Sequence, residues 1–170
     1  MSARSKLKTG GAPTLLERIA LPIAEKLIFG KIRARFGGRL RYAVSGAAAL
    51  TRDVAELIDN LGITVFEGYG MTESSSVATA NAPGARRIGT VGRPIPGVTI
   101  EIDHAAPGGD AENGEIVIHG HNVMAGYHNL PEETAAAFTP DGWLRTGDTG
   151  KFVHRRFLKI TGRKKDVFKT

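Results

Sequence analysis

The sequence predicts an α/β chain, with a parallel-sheet βαβ segment followed by a small, barrel-like antiparallel β subdomain. Three observations carry this expectation. Between residues 39 and 66, two apolar runs flank a stretch with helical spacing. Both runs lead into glycine-bearing turns, Ser45-Gly46-Ala47-Ala48 and Gly68-Tyr69-Gly70. Open parallel sheets bind ligands at such strand ends, so these two turns are expected to line one crevice. From Ile88 onward, glycines and prolines interrupt the chain often and short alternating runs take over.

Residues 1–13 are polar and hold Gly10, Gly11 and Pro13, the marks of a loop. Thr14 and Glu17 form a capping-box pattern, and apolar positions recur at helical spacing from Leu15 to Phe36. Pro22 should kink or split this helix, and Gly37-Gly38 should stop it. Arg39 to Val44 reads as the first strand. Thr51 or Asp53 is expected to cap a helix reaching Asn60, with Val54, Leu57, Ile58 and Leu61 facing inward. Ile63-Thr64-Val65-Phe66 is the second strand, ending where Gly68 and Gly70 allow a turn, and Ser74 to Ala80 is compatible with a helix. Further on, Val98–Ile102 and Glu115–His119 are strands separated by the turn residues Gly108, Gly109 and Asn113-Gly114. Residues 131–138 read as a short helix, with Pro131 in its first turn and Glu132-Glu133 near its N-terminus. A last strand, Phe157 to Ile160, runs into Gly162-Arg163-Lys164-Lys165-Asp166.

Composition narrows the functional classes. The 170 residues suffice for a sizeable core, and 41% hydrophobic with 24% charged residues is ordinary for a globular chain. No cysteine is present, which excludes disulfides, thiolate metal sites and a cysteine nucleophile. No run approaches the roughly 18 apolar residues of a membrane span. The five histidines (104, 119, 121, 128, 154) lack metal-site spacing, and no serine sits in a Gly-x-Ser-x-Gly elbow. The net charge of +6 is unevenly placed: both termini are basic and residues 41–150 are acidic. Clustered basic residues attract nucleic acid. Here they carry no interleaved aromatic platform and no zinc or helix-turn-helix signature, so a solvated face is the simpler reading and no nucleic-acid partner is expected.

The densest chemistry lies in Glu67-Gly68-Tyr69-Gly70-Met71-Thr72-Glu73-Ser74. The glycines permit close backbone approach, the tyrosine a flat surface, the threonine a hydroxyl for a phosphate and the glutamate a carboxylate for its metal ion. A Gly-x-Gly alone marks only a turn. This one lacks the third glycine of a dinucleotide fingerprint and the Gly-Lys-Ser/Thr ending of a phosphate loop.

Four segments in register raise its meaning: Ser45-Gly46-Ala47-Ala48, Gly68-Tyr69-Gly70-Met71-Thr72-Glu73, Trp143-Leu144-Arg145-Thr146-Gly147-Asp148 and Gly162-Arg163-Lys164-Lys165-Asp166. In that order and spacing the chain, over about residues 20–170, resembles the acyl-adenylate-forming enzymes. These include acyl-CoA synthetases, luciferases and peptide-synthetase adenylation domains. Gly89 to Pro94 and Asn122-Val123-Met124-Ala125-Gly126-Tyr127 agree with this, and the stretch from Arg163 to Thr170 is most similar to the long-chain fatty-acid–CoA ligase branch.

The resemblance implies a fragment of such an enzyme's large N-terminal domain. Residues 1–87 would end the nucleotide-binding subdomain, 88–162 form the β-rich subdomain, and 163–170 lead toward a C-terminal domain. The family's upstream Lys-containing phosphate-gripping loop and downstream lysine-bearing domain are not found in the sequence, so an internal piece of a longer enzyme is expected. The implied parent activity is AMP-forming ligation, in which a fatty acid, ATP and coenzyme A react through an acyl-adenylate. Tyr69 would lie beside adenine, with Gly68, Gly70 and Met71 at the same site. Thr72 would hydrogen-bond the α-phosphate and Glu73 would hold Mg²⁺. Gly46, Ala47 and Ala48 would wall adenine from the acyl group, although the branch usually has glycine at Ala47 and proline at Ala49. Asp148 would accept bonds from the ribose hydroxyls, Arg163 would reach ribose or phosphate, and Lys165 would mark a hinge. The implied location is cytoplasmic, with peripheral membrane association of the parent as an open alternative. A binding module for AMP or acyl-adenylate without turnover, and an adenylating enzyme for another carboxylic acid, both stay open.

Overall fold

The computed structural model describes Thr14 and residues 29–46 and 50–164. The part of the expected Leu15–Phe36 helix over 15–28 therefore lies outside the described residues. Helix α1 spans Gly30–Arg35 and ends at Gly37 and Gly38, both at positive φ, as the glycine pair implies. Strand β1 is Tyr42–Ser45, helix α2 Arg52–Asn60 and strand β2 Thr64–Tyr69. A 3₁₀ turn at Thr72–Ser74 precedes the short strands β3 (Thr79–Ala80) and β4 (Arg93–Pro94). Strands β5 (Val98–Asp103) and β6 (Gly114–Gly120), helix α3 (Pro131–Ala137) and strands β7 (Leu144–Val153) and β8 (Phe157–Arg163) complete the chain.

This is a mixed α/β chain with two four-stranded sheets, β1-β2-β3-β4 and β5-β6-β7-β8. The second is an antiparallel meander. As far as they are described, the residues group into two compact units: Met1–Val44 with Thr51–Val65, and Ser45–Leu50 with Phe66–Thr170.

In the first unit, Thr51 stands at the N-cap position before α2, and its side chain makes no capping bond. Gly62, at φ 84°, follows its end. The inward face differs from the expected one. Ala55 and Asp59 are buried, whereas Val54 and Leu57 are 43% and 58% exposed. An i, i+4 pair separated by one turn sets the buried stripe, rotated from the line through the larger apolar residues.

In the second unit, Ile116, Ile118, Leu144 and Leu158 are fully buried and form the centre of the core, with Tyr69 and Ala78 in the same cluster. Central strand β6 is buried from Gly114 through Ile118 rather than on alternate residues, because it is paired on both edges and covered on both faces. The β5–β6 connection is organised by Asp110. Its Oδ1 accepts the N–H groups of Glu112 and Asn113 at 2.7 and 2.6 Å, and the Asn113 amide reaches both carboxylate oxygens. The Asn113 side chain, followed by the backbone N–H groups, lowers this carboxyl from 3.8 to about 2. A depressed acid stabilises the fold above its unfolded value and loses that contribution as pH falls through its folded value. Asp110→Ala should therefore lower the melting temperature at about pH 7, and the gap to wild type should close by about pH 2 in thermal scans.

Candidate functional site

Strand β2 runs to Tyr69, three residues past the expected end at Phe66. Gly68 and Tyr69 pair with Ala80 and Thr79 of β3, so the segment 74–80 is not helical. The 3₁₀ turn instead reverses the chain, with Ser75 and Ser76 at φ 52° and 74°. Gly70 has a different task from the expected one. A Cβ there would stand 2.5 Å from the Ser76 carbonyl oxygen, so its close approach is to the chain's own returning backbone. Gly46 does lie beside β2, where an added Cβ would meet the Gly68 carbonyl oxygen at 3.9 Å. Ala47, Ala48 and Lys165 lie outside the described residues.

Tyr69, Asp148 and Arg163 meet although 79 residues separate the first two. The Tyr69 hydroxyl donates to Asp148 Oδ2 at 2.7 Å, and Arg163 Nε donates to Oδ1 at 2.8 Å. Tyr69 is 8% exposed; its burial, then the charge of Asp148, push its hydroxyl up, so it stays a donor. Asp148 and Arg163 are directly opposite in the β7–β8 register. Asp148 is thus a strand residue, placed just after Gly147 at φ 71°. The Asp148 side chain is 11% exposed and that of Arg163 70%. Glu67 is buried, and burial raises its carboxyl against the pull of N–H groups from Gly89 and Leu50.

Thr72 is exposed at the start of the 3₁₀ turn and Glu73 is half-buried behind it. This turn is held from outside by the segment Asn122–Tyr127, whose role the sequence left unassigned. Tyr127 donates its hydroxyl to Glu73 Oε1 at 2.8 Å, and Met124 N–H donates to the Glu73 carbonyl at 2.8 Å. Asn122 Nδ2 donates to the carbonyls of Ser74 and Val77, while Ser75 Oγ donates to the Asn122 carbonyl. The pairing is with Glu73 itself, and it raises the Tyr127 hydroxyl above its usual range. The Asn-x-x-x-Gly-Tyr spacing carries no signal of this contact without the fold.

Among the described residues no group of three His, Asp or Glu could hold a metal. A single carboxylate such as that of Glu73 is compatible in kind with Mg²⁺, which takes one or two carboxylates and completes its shell with phosphate oxygens and water. A groove of about 470 Å³ beside Glu101, Asp103, Trp143 and Arg145 is lined by none of the candidate residues. No helix among the described residues is long and apolar enough to cross a membrane.

Residues 8–128 match the family model described as AMP-binding enzyme. The chain is 39% identical over 160 residues to the long-chain-fatty-acid–CoA ligase FadD15 of Mycobacterium bovis, covering 94% of this chain and 25% of that protein. Among solved structures, it is similar to ATP-bound MatB from Rhodopseudomonas palustris, with a TM-score of 0.69 and 36% identity over 78% of this chain and 27% of that one. It is also similar to the O-succinylbenzoate coenzyme A synthetase MenE of Bacillus subtilis in complex with AMP (TM-score 0.64, 32% identity, 74% of this chain and 27% of that one). The fold is that of the adenylate-forming enzymes. The chain belongs to the AMP-binding enzyme family, and it spans about a quarter of the length of the curated relative it matches.

Proposed function

We propose that these residues form the adenylate side of the active site of a long-chain fatty-acid–CoA ligase. The observation that carries this is the Tyr69–Asp148–Arg163 cluster, in which a base-side ring and a ribose-side carboxylate are one hydrogen bond apart. A carboxylate offers about four acceptor positions and two are in use, so Asp148 retains capacity for two ribose hydroxyls. Arg163, being largely exposed, moves aside or shares Oδ1 at little cost. Tyr69 is read as lying beside the base, with Gly46, Gly68 and Met71 at the same site, and Ala47 and Ala48 keep the wall role that the resemblance implies. Thr72 offers its hydroxyl to the α-phosphate. Glu73 would hold Mg²⁺, which would supply neutralisation of the phosphate charge. The residues contribute position and charge; the reacting groups are those of the substrates.

The parent reaction ends in thioester formation with coenzyme A at the expense of acyl-adenylate. Residues 1–87 and 88–162 are read as its nucleotide-binding and β-rich parts, with 163–170 and Lys165 leading to a hinge. A cytoplasmic enzyme, peripheral to a membrane, suits a long-chain substrate. The 170 residues alone should bind AMP in calorimetry and show little acyl-CoA formation in a coupled assay. Robust thioester synthesis by this chain, or calorimetry that detects no AMP binding, would contradict this division of the site.

The Glu73 assignment has its own test. Tyr127 is 38% exposed, so Tyr127→Phe should leave stability nearly unchanged. It removes the hydrogen bond that aims the Glu73 carboxylate, and at this exposed position water replaces the lost donor. Mg²⁺-dependent ATP binding should weaken about fivefold, with metal-free AMP binding unaltered. Equal weakening of both would show that Tyr127 acts on the fold and not on Glu73.

A further inference from the structure

Glu115 is a buried carboxylate to which none of the above gives a task. It is 2% exposed in central strand β6, yet it holds three separate partners. Oε1 accepts the Gly147 N–H at 3.1 Å, and Oε2 accepts Arg145 Nη1 at 3.1 Å and Lys164 Nζ at 2.9 Å. Gly147 immediately precedes Asp148, and Lys164 immediately follows Arg163. The single carboxylate therefore grips both flanks of the Asp148–Arg163 pair.

The strand register explains why a carboxylate is needed here. Val117 pairs with Arg145 and Glu115 with Thr149, so β7 carries extra residues between the two pairs. Asp148 sits on this bulge, and the β7–β8 register shifts again between Thr149 and Gly150. A bulge re-aims a side chain but leaves backbone groups outside the ladder. The Glu115 carboxylate satisfies the Gly147 N–H that the bulge frees, and Thr146 Oγ1 satisfies the Ile116 carbonyl at 2.7 Å. Burying a charge for stability alone gains little over a packed apolar group of the same volume. Its contribution here is to fix a geometry.

We propose that Glu115 is a positioning residue: it fixes the Asp148 bulge and the start of the segment beyond Arg163 as one rigid assembly. The inference rests on reading Asp148 and Arg163 as nucleoside-binding groups. Loss of Glu115 frees both ends together, so the aim of Asp148 and the mobility of the chain at residue 164 change in step.

Limited tryptic digestion reads the second of these without any ligand. Wild type, Glu115→Gln and Lys164→Met are digested under native conditions, and cleavage after Arg163 is compared by mass spectrometry with cleavage after Arg155 and Arg156 in the β7–β8 turn. Both variants should raise the Arg163 to Arg155/Arg156 ratio about fivefold or more, because local opening governs the rate. An unchanged ratio, or equal acceleration at all sites, overturns the proposal. Lys164→Met is partly exposed and keeps the test valid should Glu115→Gln fold poorly. AMP titration supplies the other arm, where Glu115→Gln should bind several-fold more weakly than wild type. Equal affinity of the two overturns the link to Asp148. If wild type itself binds no AMP, the nucleoside reading falls, while the cleavage ratio still decides whether Glu115 anchors the chain at Lys164.

Discussion

Gly92→Ala should destabilise the second unit by roughly 4 kcal/mol or more, at the upper end of single-substitution effects. Gly92 has φ 89°, and a Cβ there would lie 1.9 Å from the Ala80 carbonyl carbon and 2.1 Å from Asn81 N. These are backbone atoms of β3 and its continuation, so no side chain can rotate away. The same residue joins the two sheets. Its carbonyl accepts the Leu158 N–H at 2.8 Å, and Val91 N–H donates to the Leu158 carbonyl at 2.9 Å. Thr79 Oγ1 closes the junction by donating to the Val91 carbonyl at 2.7 Å. Displacing Gly92 thus disturbs β3, opposite Tyr69, and β8, which carries Arg163. Gly89→Ala is the control. It also has positive φ, 79°, but nothing lies within 4 Å of its Cβ, so only backbone strain of about 1 kcal/mol applies. Urea unfolding followed by the fluorescence of the single tryptophan, Trp143, compares them, and similar midpoints for the two variants would refute the steric argument.

Asp148→Ala should weaken AMP binding at least about tenfold, since two ribose hydroxyls lose a charged acceptor. It should also cost stability by about 1–3 kcal/mol, because the Tyr69 hydroxyl is buried and would lose its partner. The ion pair with Arg163 adds little to that cost, as the guanidinium is 70% exposed. Asp148→Phe or any larger group would confound the two effects, whereas Asp148→Asn keeps the shape and an acceptor oxygen and should fall between. Calorimetry gives the affinity and urea midpoints the stability. An unaltered affinity with lowered stability would make Asp148 a structural residue only.

The sequence made the class of fold and the short-range motifs legible, and its failures have physical causes. The β-rich half was readable because β5 alternates, β6 holds the apolar β-branched run Ile116-Val117-Ile118, and their connection carries Gly108, Gly109 and Asn113-Gly114. Segment 74–80 was not, since Thr79–Ala80 is a two-residue strand whose existence depends on pairing with β2 and β4. Such a strand has no period of its own. The α2 face was misjudged because Val54 and Leu57 outweigh Ala55 in hydrophobicity, while packing selected the smaller residue. For the site, residue types within one motif suggested a nucleotide. The meeting of Tyr69, Asp148 and Arg163 came only through family resemblance, as no local pattern links strands so far apart in sequence. Glu115 and Tyr127 were invisible altogether: each acts through a contact made by the fold, and neither differs in sequence from an ordinary strand or loop residue.

The most direct test of the central claim is a ligand comparison. AMP and 2′,3′-dideoxy-AMP are titrated separately into wild type and Asp148→Ala. If Asp148 receives the ribose hydroxyls, wild type binds AMP at least about tenfold more tightly than the dideoxy form, and Asp148→Ala binds the two alike. Equal affinity of wild type for both nucleotides, or a preference that survives in Asp148→Ala, would contradict the placement of the nucleoside at this cluster.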